Sequence, residues 1–387
     1  MKVLVSVVGR FHAFDLAKQL QKKNILYKLN TTYPKYLVKR WGILNKNVNS
    51  NFYLEIIYRL ASKFVSKTRL KKINIFCSIN QSKSNIKLFK NTDLFIGWSG
   101  SSLEALISAK KEKKITILER GSSHYNYQMS ILKEEYTSSK VVFDIDYETW
   151  QRELLEYQLA DYISIPSNYV KRTFIQNGIS ENKLIVNPYG VNFKEFKSLP
   201  KKDNIFRVIN VGAFSIRKGS KYILEAFYDL NLPNSEFVHV GTVKDEVNGF
   251  VNKYKRNNIK YLGQQPQQEL FKYYSQASVF VLMSLEEGLA MVQSQAMACG
   301  LPIICSENTG GEDLLTKDGE EGFVIKIRNV DALKEKLLYL YQNQDICKIM
   351  GNRAKKRMQQ GFSWDDYGIR YANNLVDILE KNEENTI

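Results

Sequence analysis

Short apolar runs recur along the whole 387-residue chain, at intervals long enough for a helix to lie between them. Such runs are typical of parallel strands, which are buried on both faces because helices cover both sides of the sheet. They predict an α/β protein with two doubly wound parallel sheets. The predicted strands are residues 2–8, 94–96, 115–118, 162–165 and 184–187, and then 206–211, 237–240, 259–262, 279–283, 303–305 and 323–325.

The length of the chain and the segment between the two groups of strands indicate two domains. A chain of 387 residues exceeds what one hydrophobic core usually holds. Residues 187–203 contain two prolines and a glycine and lack a periodic apolar pattern, as expected of a linker. We therefore expect a first domain over residues 1–200 and a second over residues 201–363.

The net charge of +16 lies entirely in the first quarter of the chain. Residues 1–100 contain 19 lysines and arginines against 3 acidic residues, whereas residues 101–387 contain 37 of each sign. This asymmetry predicts an anionic partner for the first domain, either a membrane surface, a nucleic acid or a phosphorylated acceptor. A lysine-rich drift in composition is the alternative. The absence of a recognisable nucleic-acid motif argues against nucleic acid.

One segment of this basic quarter has the pattern of an amphipathic helix. Its apolar stripe either packs on its own domain or lies on an anionic membrane, and we predict the membrane contact for its basic stripe. The apolar stripe is Tyr53, Ile57, Leu60 and Phe64, and the basic stripe is Arg59, Lys63 and Lys67.

The sequence predicts a cytoplasmic protein, peripheral at the inner face of the membrane. The apolar run near Met1 spans only residues 3–8, shorter than the core of a signal peptide, and no other run has the length of a membrane span. The four cysteines form no CxxC pair and have no histidine near them that would complete a zinc site. They are expected to be buried thiols, and no metal site is predicted.

The most specific segment is residues 284–304, in which a strand ends, a loop carries Glu287 and Gly288, and a helix follows to a Gly-Leu-Pro stop. Ligands of open α/β sheets bind at the carboxyl ends of the strands, where helix-start N–H groups hold phosphate oxygens. We expect the backbone of Gly288, Leu289 and Ala290 to face a diphosphate. Glu287 would accept hydrogen bonds from sugar hydroxyls.

This segment resembles the signature of family 4 glycosyltransferases, which have the GT-B fold and retain the anomeric configuration. In that family a second Glu stands eight positions after the first, and here that position is Gln295. The resemblance implies that Glu287 contacts the donor sugar and that Gln295 holds the nucleotide ribose, more weakly because an amide is neutral. It implies a UDP- or GDP-linked sugar as donor and leaves the nucleotide open.

Three further segments extend the resemblance over nearly the whole chain. Residues 156–171 and 187–192 resemble structural signatures of the family. Residues 211–219 resemble its phosphate-binding loop: Gly212 and Lys218 match, whereas Ala213 replaces the usual Arg and makes Arg217 its possible substitute. A surface Lys-Gly turn is the alternative for this loop.

Two strand-end turns of the first domain also face the cleft in this type of fold. Gly9 would let the backbone approach a ligand closely, and His12 either faces the cleft or packs on its own turn. In the second turn, after residues 115–118, either Arg120 or His124 would touch the donor sugar. An ordinary ion pair between Glu119 and Arg120 is the alternative there.

Two signals near these segments are interpreted as structural. Asp144 and Asp146 spell the metal-binding DxD of the other large glycosyltransferase fold, but that motif belongs to a single-domain plan that this sequence lacks. Trp364 resembles the start of the family's C-terminal helix, about residues 364–380, which crosses back to pack on the first domain.

The resemblance implies retaining transfer of a sugar from the nucleotide-sugar to a saccharide or a lipid-linked phosphorylated acceptor, in cell-surface polysaccharide synthesis. Lys218, Arg217 and the helix-start amides would stabilise the leaving diphosphate, so that neither a metal nor another cofactor is needed. Two alternatives stay open: another enzyme on this fold, such as a nucleotide-sugar epimerase or a phosphorylase, and a binding or scaffold subunit without catalysis.

Overall fold

A computed structural model of the chain describes residues 1–384 and contains two entirely parallel sheets. The first sheet has the order β3-β2-β1-β4-β5-β6-β7 and the second the order β10-β9-β8-β11-β12-β13, so the predicted fold class is confirmed. The strands are β1 Val3–Val7, β2 Leu26–Thr31, β3 Val48–Ser50, β4 Leu94–Trp98, β5 Ile115–Glu119, β6 Tyr162–Ile165, β7 Leu184–Val186, β8 Phe206–Val211, β9 Ser235–Val240, β10 Ile259–Tyr261, β11 Val279–Leu282, β12 Ile303–Ser306 and β13 Gly322–Ile325.

Helices cover both faces of each sheet, as a doubly wound arrangement requires. They are α1 Ala13–Lys22, α2 Lys35–Lys39, α3 Phe52–Phe64, α4 Lys67–Lys83, α5 Leu103–Lys111, α6 Tyr125–Ser138, α7 Tyr147–Leu159, α8 Asn168–Gln176, α9 Ser220–Leu230, α10 Asn248–Lys253, α11 Leu270–Ser275, α12 Met291–Ala298, α13 Val330–Gln342, α14 Gln344–Gln359 and α15 Trp364–Glu384. The segment between the two sheets, residues 187–205, includes the predicted domain boundary near residue 200.

Strands β2 and β3 have no counterpart among the predicted strands. In β2 the polar residues Lys28 and Asn30 interrupt the apolar pattern, and β3 is only three residues long. The Asn30 amide is fully buried but satisfied, because its nitrogen donates to Asn85 Oδ1 at 2.7 Å and its oxygen accepts from Asn49 at 2.7 Å. Satisfied hydrogen bonds therefore allow β2 to be buried without an apolar run.

Helix α15 lies against the first domain although it follows the second in sequence. Gln19 of α1 donates to Asp365 at 2.9 Å, and the Tyr371 hydroxyl donates to Glu119 at 2.6 Å. Trp364 is half-buried where this helix begins, which agrees with its predicted role as an anchor. The predicted crossing of the C-terminal helix is confirmed.

Helix α6 belongs to the first domain by sequence but packs into the second. Ile131 and Leu132 join the second domain's core cluster. On the same helix the buried Glu135 carboxylate accepts hydrogen bonds from Tyr222 at 2.7 Å and from Arg328 at 2.7 Å. This helix therefore joins the two domains.

The amphipathic segment of the basic quarter is two helices, not one. Helix α3 ends at Phe64, Val65 is extended, and Ser66 caps α4, whose first residue is Lys67. The prediction of one basic stripe is wrong for Lys67, because the break turns it away from the α3 register of Arg59 and Lys63. The apolar stripe of α3 is 39–82% exposed, so its packing on its own domain is excluded.

The four cysteines are free and buried, as predicted. Burial raises the pKa of three of these thiols, at Cys299, Cys305 and Cys347, to about 12. Within residues 1–384 no helix combines the length and the apolar character needed to cross a membrane.

Candidate active site

The loops at the carboxyl ends of the strands of the two domains meet each other. The closest approach is at Gly288, after β11, where a Cβ atom would lie 1.9 Å from the carbonyl oxygen of Gly121, after β5. The Gly288 carbonyl also accepts a hydrogen bond from the Ser167 hydroxyl of the first domain at 2.7 Å. Any side chain at position 288 would force the two loops apart, which explains the glycine there.

Glu286 is the residue that ties these loops together. Its carboxylate is fully buried and accepts from the backbone N–H and the hydroxyl of Ser123 at 2.9 and 2.8 Å. The other oxygen accepts from Gln128 at 3.0 Å and from Arg217 at 2.8 Å. Three of these four bonds cross from the first domain to the second. Because both oxygens accept two hydrogen bonds each, the buried charge is fully satisfied.

Arg217 and Lys218 converge on the neighbouring carboxylate of Glu287. Arg217 donates to Glu287 Oε1 at 3.1 Å, and the Lys218 ammonium pairs with the same oxygen. Burial alone would raise the pKa of Glu287, but Arg217 and Lys218 hold it below its ordinary value. The structure therefore brings three of the predicted site residues together as a buried, ionised cluster.

The predicted glycines and the predicted helix start have different local environments. Gly9 and Gly212 have φ values of +78° and +126°, and no atom lies within 4 Å of where their Cβ would be, so both leave open space. Leu289 is buried in the core. The prediction for Ala290 is wrong, because its N–H donates to the Thr309 carbonyl at 3.3 Å instead of facing outward. Helix α12 starts one residue later, at Met291.

Residues 191–357, which include this cluster, match the family model described as glycosyl transferases group 1. The match covers less than half of the chain, so it shows that the second domain is similar to group 1 glycosyltransferases. The chain is 31% identical over 206 residues to an uncharacterised glycosyltransferase of Methanocaldococcus jannaschii. This alignment covers 53% of the chain and only 56% of the relative. A second one from the same organism is 23% identical over 373 residues, 91% of this chain and 90% of the relative. A capsular polysaccharide biosynthesis glycosyltransferase of Staphylococcus aureus is 24% identical over 55% of this chain and 61% of its own length.

Solved structures show that this chain has the GT-B fold. Sucrose-phosphate synthase from Thermosynechococcus elongatus superposes with a TM-score of 0.72 at 17% identity, over 98% of this chain and 99% of that one. The Anabaena protein HepE, solved in complex with UDP-glucose, superposes with a TM-score of 0.71 at 15% identity, over 97% of this chain and 100% of that one.

The chain carries Gln295 where the family that it resembles has a second Glu. The side chain is buried on α12, and its oxygen accepts a hydrogen bond from the fully buried Tyr274 hydroxyl at 3.3 Å. A neutral amide suits this place, because a carboxylate would lose its hydration there. The predicted contact of Gln295 with a ribose stays a prediction.

Arg120 and Glu119 do not form the ion pair considered from the sequence. Consecutive strand-end residues point to opposite sides, so Glu119 turns to His12 and Tyr371, whereas Arg120 pairs with Glu153 at 2.6 Å. Arg120 also donates to the Ser123 carbonyl and to Gln128 Oε1, so each of its three guanidinium nitrogens has a partner in the first domain. Arg120 therefore supports the loop that presents Ser123 to Glu286.

His124 begins helix α6 and is almost fully buried. Its Nδ1 accepts from the Asn126 N–H at 3.2 Å, and its ring contacts those of Tyr157 and Phe174 at 5.1 and 5.0 Å. Burial, and then the charge of Arg120, lower the pKa of His124 to about 4, so the ring is neutral near pH 7. A contact of His124 with a donor sugar stays a prediction.

His12 is the residue directly before helix α1 and is buried, which agrees with the predicted alternative of a helix-start residue. Its Nε2 is 2.9 Å from Glu119 Oε2, and its ring lies 4.4 Å from Tyr189 and 4.9 Å from Trp98 between ring centroids. It thus connects the first sheet to the linker, and its predicted role in the cleft stays a prediction.

The DxD residues have structural roles. Asp146 caps α7 by accepting from the Thr149 N–H at 3.1 Å, and Asp144 pairs with Lys71. Within residues 1–384 no group of three or more His, Cys, Asp or Glu side chains is placed to hold a metal ion.

Sequence reasoning missed three residues of the site, namely Glu286, Ser123 and Gln128. Glu286 stands beside the predicted Glu287 in the same loop. Its importance comes from partners about 160 positions earlier in the chain. The only sequence feature that could have indicated Glu286 is its position next to a second carboxylate in a strand-end loop.

Proposed function

We propose that this protein is a glycosyltransferase that moves a sugar from a nucleotide-sugar to an acceptor hydroxyl and retains the anomeric configuration. The observation that supports this most directly is the cluster of Arg217, Lys218 and Glu287. Two cations stand beside one carboxylate between facing strand ends, where an anionic nucleotide and a polyhydroxylated sugar would be held together.

In the proposed reaction the acceptor oxygen forms a bond to the anomeric carbon while the bond from that carbon to the diphosphate oxygen breaks. The acceptor proton passes to a phosphate oxygen of the departing diphosphate. Lys218 and Arg217, with the backbone N–H groups of Gly288 and Leu289, would stabilise the charge that develops on the diphosphate. This arrangement needs no metal ion and no other cofactor.

The cations are already neutralised by Glu286 and Glu287, which bears on how a donor would bind. A diphosphate entering the cluster would compete with these carboxylates for Arg217 and Lys218. We expect Glu287, which is slightly exposed, to turn toward the sugar hydroxyls, and the fully buried Glu286 to keep its place.

The donor and the pathway are proposed from the relatives. HepE was solved with UDP-glucose, which favours a UDP-linked sugar over a GDP-linked one. The capsular polysaccharide relative favours a role in cell-surface polysaccharide synthesis, with a saccharide or lipid-linked phosphorylated acceptor.

We place the protein in the cytoplasm, peripheral at the inner face of the membrane. Helix α3 supports this, since Tyr53, Ile57, Leu60 and Phe64 are exposed and Lys63 lies on the same helix. An apolar stripe next to cations is the pattern of helices that lie in an anionic interface.

Incubation with a panel of UDP- and GDP-sugars, read by mass spectrometry, tests the proposed function. We expect slow hydrolysis of one donor, and transfer once an acceptor is added, both unchanged in excess EDTA. A changed sugar without its release would indicate an epimerase, and no reaction or nucleotide binding with any donor would indicate a scaffold. Loss of transfer in EDTA, restored by manganese or magnesium, would contradict the metal-free mechanism.

A further inference from the structure

The first domain has a large apolar groove between α2 and α3. Its volume is about 960 Å³, near the upper end of the range of about 300–1,000 Å³ that is usual for small-molecule sites. Tyr36, Leu37, Phe52 and Ile56 line it, and three of these side chains are 45–67% exposed. Exposed apolar side chains gathered in one concave surface indicate a site for an apolar ligand.

The rim of this groove is cationic. Lys35, Lys39 and Arg59 line it, and Glu55 is the acidic residue that lines it. Glu55 pairs with Arg59 at 2.7 Å, whereas Lys35 and Lys39 have no ion-pair partner in the described part of the chain. Two lysines therefore remain to bind an anionic group at the mouth of an apolar groove.

The groove adjoins the loop after β1, at the strand-end edge of the first sheet. The Gly9 N–H donates to the Thr32 hydroxyl at 2.9 Å, and that hydroxyl donates to Glu55 in the groove wall at 3.2 Å. Strands β1 and β2 are parallel, and their last residues, Val7 and Thr31, are paired. Both strands therefore end at this edge. The groove thus lies at the strand-end edge of the first sheet, the same edge at which the loop after β5 meets the loop of Glu287 and Gly288.

We propose that this groove binds the lipid part of a lipid-linked acceptor, with the aliphatic chain along Ile56 and Phe52 and the acceptor phosphate at Lys35 and Lys39. The inference rests on the proposed transferase function and assigns a binding site to the lipid and the phosphate of the acceptor. It differs from adsorption to a bilayer, since the groove takes one chain and the outer stripe of α3, which includes Ile57, contacts the membrane surface.

Decyl phosphate below its micelle concentration is the probe, titrated calorimetrically into the full-length protein. We expect saturable binding, with inorganic phosphate and decyl maltoside at least tenfold weaker because each lacks one half of the ligand. The Ile56→Asn variant should bind decyl phosphate at least tenfold more weakly. The matched Ile57→Asn variant, one residue along and outside the groove, should stay within twofold of the wild type.

The lysines have their own matched control. Lys35→Gln with Lys39→Gln should weaken decyl phosphate binding at least fivefold and leave decyl maltoside unaffected. Lys87→Gln with Lys90→Gln, two exposed lysines of the same domain outside the groove, should change neither.

Equal loss in the Ile56→Asn and Ile57→Asn variants, loss in neither, or binding only to vesicles would overturn the groove assignment. UDP binding by the same proteins separates this failure from failure of the proposed function. If UDP binds and Ile56→Asn leaves decyl phosphate binding unchanged, the transferase proposal stands and the groove proposal fails. If decyl phosphate binds in the groove but no donor is used, the transferase proposal fails, and with it the assignment of the lipid as an acceptor.

Discussion

The two domains share one architecture but hold their cations in opposite ways. In the second domain Arg217 and Lys218 are largely buried, and Glu286 and Glu287 neutralise them. In the first domain the cations of α2, α3 and α4 are mostly exposed, and those at Lys35, Lys39, Lys63 and Lys67 have no ion-pair partner in the part that the structure describes. The excess charge of the sequence is thus a surface property of one domain.

This difference separates two uses of positive charge. A cation held by buried carboxylates has a fixed position, which suits stabilisation of charge at one atom of a reacting group. Exposed unpaired cations create a diffuse potential that salt screens, which suits attraction of an anionic surface or ligand. We therefore expect substitutions in the second domain to change reaction rates and those in the first to change binding and its salt dependence.

The largest effect is expected at Lys218. Replacing it by Ala removes a positive charge from the departing diphosphate and should raise the activation free energy by about 3 kcal/mol, or slow transfer about a hundredfold. Lys255→Ala, at an exposed lysine of the same domain, is the control and should leave the rate unchanged. Turnover within threefold of the wild type, in Lys218→Ala protein with unchanged melting, would remove Lys218 from the site.

A smaller effect, on stability, is expected at Glu286. Its substitution by Gln places an NH₂ group in a carboxylate site to which three N–H donors and one hydroxyl now donate, and should lower the free energy of unfolding by about 2 kcal/mol. Glu312→Gln is the matched control, because that carboxylate also crosses the interface, to Arg172 at 2.9 Å, but is exposed. If chemical denaturation gave the same decrease in the free energy of unfolding for both variants, burial of Glu286 would contribute nothing to stability.

The smallest effect is expected on membrane binding. Lys63→Gln should weaken co-sedimentation with anionic liposomes about fivefold, the effect of about 1 kcal/mol per cation near an anionic surface, and salt should abolish the difference. Arg59→Gln should have less effect, since Glu55 already neutralises Arg59. Wild-type protein that bound neutral vesicles equally well would argue against any electrostatic role of this helix.

The parts of the fold that the sequence predicted are those encoded within one short segment. The strand before Glu287 is a continuous apolar run, and the strand before Lys218 is apolar except at Arg207 and Asn210. The ends of both strands, and with them the loops of the site, therefore follow from local pattern. In contrast, β2 is buried through Asn30, whose partners lie in β3 and after α4, and no local pattern encodes such a network.

The site was predictable to the same extent. Glu287, Lys218 and Arg217 lie in two strand-end loops whose meeting follows from the parallel sheet. The position of Arg120 was not predictable, because its partners Glu153 and Gln128 lie on two later helices, α7 and α6.

Helix α6 limits how such proteins can be recombined. A hybrid joined in the linker near residue 200, made to exchange acceptor preference, would place a foreign α6 against Lys221, Tyr222 and Arg328, which here hold Glu135. It would also leave α15 on the wrong parent, away from its own Glu119. Exchange of acceptor specificity between relatives is therefore expected to succeed on two conditions. The residues of α6 that contact the second domain must be kept, and α15 must come from the same parent as the first domain.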